Sequence, residues 1–71
     1  MLISCELGEE TDTCSQLLKI PHVQSCLITY GNYDIVVEIE TSTQDELNSI
    51  ISSKIRRLDK IRSTITLRVT N

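Results

Sequence analysis

The sequence contains no phenylalanine and no tryptophan, and Tyr30 and Tyr33 are its only aromatic residues. Its core must therefore be aliphatic and modest in volume. At 71 residues the chain has room for one core, because chains this short bury only about 60% of their unfolded surface. Domains below about 80 residues usually need an extra staple, and self-association is the expected one. Basic residues are also in short supply, 7 Lys and Arg against 10 Asp and Glu, for a net charge of −3 and a pI near 4.9. That sign argues against direct nucleic-acid binding, which requires neutralising phosphates. No apolar run approaches the roughly 18 residues that cross a bilayer, and no basic start leads into an apolar stretch like a secretion signal. The expectation is a cytoplasmic protein with no membrane partner. With 2 Gly and 1 Pro the composition lies outside the disordered and fibrous classes, so a single folded domain over residues 1–71 is expected.

Chemistry-bearing residues are sparse too. Three cysteines, Cys5, Cys14 and Cys26, match neither a disulfide framework nor a zinc site and read as small buried hydrophobes. His22 is the only histidine and follows Pro21, the setting of a solvated loop residue. There is no His cluster, no placeable Cys–His pair and no glycine-rich phosphate loop. No catalytic residue, metal site or cofactor is expected.

What is present is periodic. Met1–Glu6 is an apolar-rich run of strand length, broken by Gly8. From Glu9 to Lys19, Cys14, Leu17 and Leu18 fall at helical offsets with acidic residues in the first turn, facing the positive end of the helix dipole, and Pro21 ends the helix. Val23–Tyr30 and Tyr33–Thr41 are β-branched-rich and flank Gly31-Asn32, which predicts an antiparallel hairpin with a two-residue turn needing positive φ. Thr43 and Glu46 form a capping box at the start of a second helix, whose stripe of Leu47, Ile50, Ile51, Ile55 and Leu58 faces a core. Lys54, Arg56 and Arg57 occupy its polar sides and last turn. Ile61–Val69 alternates Ser63, Ile65, Leu67 and Val69 against Arg62, Thr64, Thr66 and Arg68, the period of a half-buried strand.

The order β-α-β-β-α-β predicts an α+β, ferredoxin-like fold: two helices on one face of a four-stranded antiparallel sheet of order 4-1-3-2. The other face needs a partner or a ligand. With Gly31-Asn32 as a two-residue turn, Thr29 lies opposite Asp34, Leu27 opposite Val36 and Ser25 opposite Glu38. The alternate set, Cys26, Ile28, Ile35, Val37 and Ile39, is more apolar and is assigned to the helices. Asp34, Thr64 and Thr66 are then expected to share the open face.

With GNYDIVVEIE (residues 31–40) and KIRRLDKIRSTITLRV (residues 54–69) on the page, the chain resembles the effector-binding (RAM) domain of the Lrp/AsnC family of transcriptional regulators. The likeness rests on a Gly-x-x-Asp hairpin, a helix ending near a Leu and a Thr-x-Thr in the final strand, in that order, and runs from the first strand to Val69. Members of that family carry a helix-turn-helix before this domain, whereas this sequence begins directly with the first strand and looks like the stand-alone form. The resemblance implies dimers paired through their sheets and rings of about four or five dimers (octamer or decamer). It also implies an amino acid or similar effector bound at dimer–dimer contacts, and full-length Lrp/AsnC-type regulators as partners. The positions matching the ligand-contacting motif are Gly31, Asp34 and Thr64, with Tyr30, Asn32, Ser63 and Thr66 from the same loops.

Independent of any family, Asp34 and Thr64 lie near the starts of strands separated by one neighbour, about 10 Å apart. A small zwitterion fits that gap, its ammonium on the carboxylate and its carboxylate on hydroxyls or backbone N–H groups. The competing reading is that Asp34 caps backbone donors and that Thr64 and Thr66 are ordinary strand residues. Charge is unevenly spread: residues 1–46 hold nine acidic side chains and one basic, residues 47–71 six basic and one acidic. Internal pairing and head-to-tail subunit contact both remain open. A metabolite-sensing regulatory domain leads; a regulatory subunit of a metabolic enzyme is the alternative.

Overall fold

The computed structural model describes residues 1–69; Thr70 and Asn71, the end of the expected 1–71 domain, lie outside the described residues. Strands β1 (Leu2–Cys5), β2 (Val23–Ile28), β3 (Ile35–Ile39) and β4 (Ile61–Ile65) and helices α1 (Glu10–Leu18) and α2 (Gln44–Ile50) follow in the expected order, with α2 continued by a π-helical turn over Ile51–Ile55. The sheet is antiparallel with order β2-β3-β1-β4, the predicted 4-1-3-2 read from the other edge. The fold is ferredoxin-like α+β.

The core is aliphatic, as the lack of large aromatics requires. Ile3, Leu17, Ile35, Val37 and Ile55 are fully buried, and Cys5, Cys14, Ile50 and Ile51 complete the cluster. Each fully buried aliphatic side chain contributes about 1.5–3 kcal/mol. The Thr43 hydroxyl accepts from the Glu46 backbone N–H at 3.1 Å and Glu46 Oε1 accepts from the Ser42 N–H at 3.2 Å, so the expected capping exchange forms with its return bond one residue early.

Six expectations need correction. Cys14 and Cys26 are not free hydrophobes: they form a disulfide between α1 and β2, Cα–Cα 5.9 Å. Closing a loop of this length contributes about 3 kcal/mol in the chain-entropy account, comparable to one more buried core side chain. The staple expected from self-association is thus present within the chain.

The second helix is not uniformly α. Arg56 N–H bonds the Ile51 carbonyl at 2.9 Å, five residues back, which defines a π turn. Ser52 and Ser53 hydroxyls return to the carbonyls of Asn48 and Ser49, the back-bonding that competes with regular helix. The widened turn still buries Ile50, Ile51 and Ile55.

The Gly31-Asn32 turn keeps the predicted register but not the predicted tightness. Leu27 pairs with Val36 and Ser25 with Glu38, and Thr29 N–H bonds the Asp34 carbonyl at 2.8 Å. Gly31 has φ +126°, while Asn32 is not among the positive-φ residues, so a turn with two left-handed positions does not form. Instead the Thr29 hydroxyl takes the Tyr33 carbonyl at 2.8 Å and the connection opens. Ile28, expected under the helices, is 51% exposed at the far end of an edge strand.

The last two corrections concern β4. It ends at Ile65, opposite Leu2, and not at Val69, because β1 supplies no longer partner. Its faces are also reversed: Ser4 pairs with Ser63 but Cys5 with Ile61, an irregularity that leaves Arg62 extra. One inserted residue moves every later side chain to the opposite face. Thr64 therefore stands opposite the buried Ile3, on the covered side, and Ile65 joins Leu2 on the open side.

Candidate functional site

Two places in the chain gather candidate polar groups. The first is the hairpin end of the sheet, where β1 and β2 finish and β3 and β4 begin. Asp34 sits there because β3 begins only at Ile35 while β1 runs on past it to Cys5: Asp34 N–H bonds the Ile3 carbonyl at 2.9 Å, and its Oδ2 accepts from the Cys5 N–H at 2.9 Å. The carboxylate thus takes the place of the missing next ladder residue. Among the described residues Oδ2 is the only side-chain atom of Asp34 with a hydrogen bond. The Ser4 hydroxyl reaches the Asn32 carbonyl at 3.5 Å. Tyr30, Gly31 and Asn32 are exposed around this point, and Ser63 is exposed on β4 across from Ser4.

Beneath Asp34 lies Cys5, the free cysteine, buried. Burial first, then the negative charges of Asp34 and Glu10, push its thiol up. Thr13 opposes this through its capacity to donate to a thiolate, yet its buried hydroxyl makes no well-formed hydrogen bond. Such a thiol is neutral and unreactive. On the flank, Lys60 Nζ lies 3.6 Å from Glu9 Oε1 and the Lys60 carbonyl accepts from the Glu6 N–H at 2.9 Å. This ion pair joins the acidic and basic parts of the chain; half-exposed pairs of this kind contribute little to stability.

The second place is a groove of about 780 Å³ at the other end of the sheet, bounded by the end of β3, the loop into α2 and the segment Thr66–Val69. Its lining includes the apolar Leu2, Leu27 and Val36 and the charged Glu38, Glu40 and Arg68. The volume is that of a small-ligand site. From the predicted set it takes only Thr66; Tyr30, Gly31, Asn32, Asp34, Ser63 and Thr64 lie outside it. The structure brings Asp34 and Ser63 to one face through Ser4 and separates Thr64 from them. No His, Cys, Asp and Glu cluster able to hold a metal ion occurs among the described residues.

Sequence reasoning missed the Cys14–Cys26 bridge and the charged lining of the groove. The bridge had a signal: Cys14 on the buried stripe of the first helix and Cys26 on the covered face of the second strand belong to the same interior. The charged lining had none, because Glu38 and Arg68 are far apart in sequence. His22, expected to be solvated, lies 3.6 Å from Glu46 Oε2 with both side chains about two-fifths exposed.

Leu2, Leu27, Val36 and Ile65 form one row across all four strands on the uncovered face; Leu27 is 60% and Ile65 42% exposed. No helix among the described residues is long and apolar enough to cross a membrane.

Known proteins share this architecture. The chain is 35% identical over 51 residues to the HTH-type transcriptional regulator FL11 of Pyrococcus furiosus, a match covering 72% of this chain and 34% of that protein. It thus spans about a third of the regulator it matches. It is also 35% identical over 65 residues to the homocitrate synthase of Sulfurisphaera tokodaii, covering 90% of this chain and 14% of that protein. Among solved structures it superposes on hypothetical protein PHS023 of Pyrococcus horikoshii with a TM-score of 0.90 and 32% identity, covering 99% of this chain and 86% of the other. A family model described as the Lrp/AsnC ligand binding domain matches residues 1–71. With the sequence resemblance, the ferredoxin-like sheet and this full-length match in agreement, the chain belongs to the Lrp/AsnC ligand-binding domain family.

Proposed function

We propose that this chain is a small-molecule-sensing, self-assembling regulatory domain that binds an amino acid or related metabolite where subunits meet. The observation that carries the reading is the apolar row Leu2, Leu27, Val36 and Ile65 on a sheet face that the chain leaves uncovered. A two-layer domain shields such a face by pairing it, here with a second copy, and dimers joined further would make the octamer or decamer expected of the family. The effector site in this reading is the hairpin end, with Asp34 Oδ1 receiving the ammonium and Tyr30, Gly31, Asn32 and Ser63 around it. Thr66 belongs to the groove side of the same assembly, and Thr64 acts as a packing residue. Full-length Lrp/AsnC-type regulators are the proposed partners; the likeness to FL11 supports this. The net charge of −3 keeps nucleic acid out of the proposed partner set, the role is binding and not catalysis, and the place of action is the cytoplasm.

A thermal-shift screen against the common amino acids tests the reading. A ligand at about 100 times its Kd stabilises by roughly 2.7 kcal/mol, several degrees for a domain of this size. A selective shift that Asp34→Asn removes supports sensing at the hairpin end; no shift with any amino acid rejects it.

A second reading has its own support. The likeness to a homocitrate synthase over 90% of this chain fits a regulatory subunit acting on a metabolic enzyme. Co-purification separates the two: a transcriptional regulator favours the first reading, an enzyme the second.

A further inference from the structure

The Cys14–Cys26 bridge joins the middle of α1 to β2, one of the two edge strands of the sheet. One of these elements is an edge strand and the other a nine-residue helix. β2 pairs with β3 on one side only, and its register slips between Val23 and Ser25. α1 has nine residues, and Glu9 makes no side-chain cap to its first turn; a helix that short is marginal without packing. It buries Thr13, Cys14 and Leu17. Of these, the Thr13 hydroxyl is buried without a hydrogen-bond partner, which costs stability, and Cys14 is half of the bridge. Leu17 and the disulfide are the main buried ties of α1.

We infer that this disulfide is a redox latch: oxidised, it docks α1 and β2 on the sheet, and reduced, it lets residues 10–28 loosen while the remaining strands stay paired. The chemistry is thiol–disulfide exchange with a dithiol reductant. Its thiolate attacks Cys26 Sγ, since Cys26 is half-buried while Cys14 is buried, and Cys14 leaves as a thiolate that takes up a proton. The second thiol of the reductant then displaces Cys26. Two electrons and two protons pass to the bridge, and the dithiol becomes a disulfide. Cys5, buried in the core, takes no part.

Both ends of the loosened unit lie at the hairpin end of the sheet. α1 follows the loop held by the Glu6–Lys60 backbone bond and the Glu9–Lys60 ion pair, and β2 leads into Thr29 and its bonds to Tyr33 and Asp34. Reduction therefore also loosens the surroundings of Asp34. One further support rests on the cytoplasmic location proposed above: in a reducing compartment disulfides are transient or redox-sensing, except in hyperthermophiles, where they persist as permanent staples.

The test uses the intact chain purified without reductant. Thiol titration in denaturant should find one free thiol, and three after treatment with dithiothreitol. Under native conditions, reduction should speed amide hydrogen exchange in residues 10–28 by about tenfold or more relative to β1 and β3, the mark of a local opening. Cys14→Ala with Cys26→Ala should show the fast pattern with or without reductant. Three thiols before reduction, exchange unchanged by reduction, or unfolding of the whole chain on reduction, the behaviour of a permanent staple, would each overturn the latch. None of these readouts depends on an amino-acid ligand.

Discussion

The carboxylate of Asp34 accepts a hydrogen bond at 2.9 Å from the backbone N–H of Cys5, 29 positions earlier in the chain. An acidic residue at a hairpin thus closes the ladder of a neighbouring strand. The sequence left two readings open, ligand contact and backbone cap; the cap is present, and among the described residues Oδ1 makes no hydrogen bond.

Asp34→Ala should leave the Cys5 N–H unpaired and destabilise the fold by about 1–3 kcal/mol, the usual cost of an unsatisfied part-buried donor. Asp34→Asn retains an acceptor oxygen and should cost less. Denaturant unfolding of the two variants measures the difference; equal losses would mean that charge, and not the hydrogen bond, is what matters there.

Stability should depend on alkaline pH through Cys5. Its folded-state pKa is raised above the ordinary 9.0 by burial, Asp34 and Glu10, so the native state holds the proton longer than the unfolded chain. The contribution is complete below the unfolded value and is lost as pH rises through the folded one. As pH rises past the ordinary 9.0 the denaturant midpoint of the wild type should fall more steeply than that of Cys5→Ala. Parallel curves would count against it.

Leu27→Lys and Ile65→Lys should abolish self-association with little effect on the single chain. Both positions are exposed in the isolated fold, where substitutions usually change stability by no more than about 0.5 kcal/mol. A charge at the centre of a paired apolar face costs far more. Sedimentation of the variants beside the wild type reads the change, and an unaltered mass would place the subunit contact elsewhere.

Thr64→Val separates the two faces of β4. Thr64 stands opposite buried Ile3, so the substitution should keep or slightly raise the melting temperature, and any amino-acid-induced shift should survive it. Loss of that shift would return Thr64 to the ligand site.

Short-range order was legible in the residues. The Leu47–Ile55 stripe, the Thr43–Glu46 cap and the alternation of β2 and β3 each depend on neighbours within a few positions, and the Leu27–Val36 register follows from turn length. Those features, with the order of elements, were enough for the fold class; the family came from the resemblance carried by the Gly-x-x-Asp hairpin and the Thr-x-Thr of the final strand. Other properties depended on residues that meet only after folding. The extra residue at Arg62 is visible only when β4 is laid against β1, and it decides which side Thr64 and Ile65 occupy. The Cys14–Cys26 bond requires a helix and an edge strand to bring their side chains together, and the reach of Asp34 to Cys5 requires β1 to run on past the start of β3. Periodicity is a local property of the backbone, so the sequence by itself determined the elements and their order. Face, bridge and cap are relations between distant segments, and only the tertiary structure decided them.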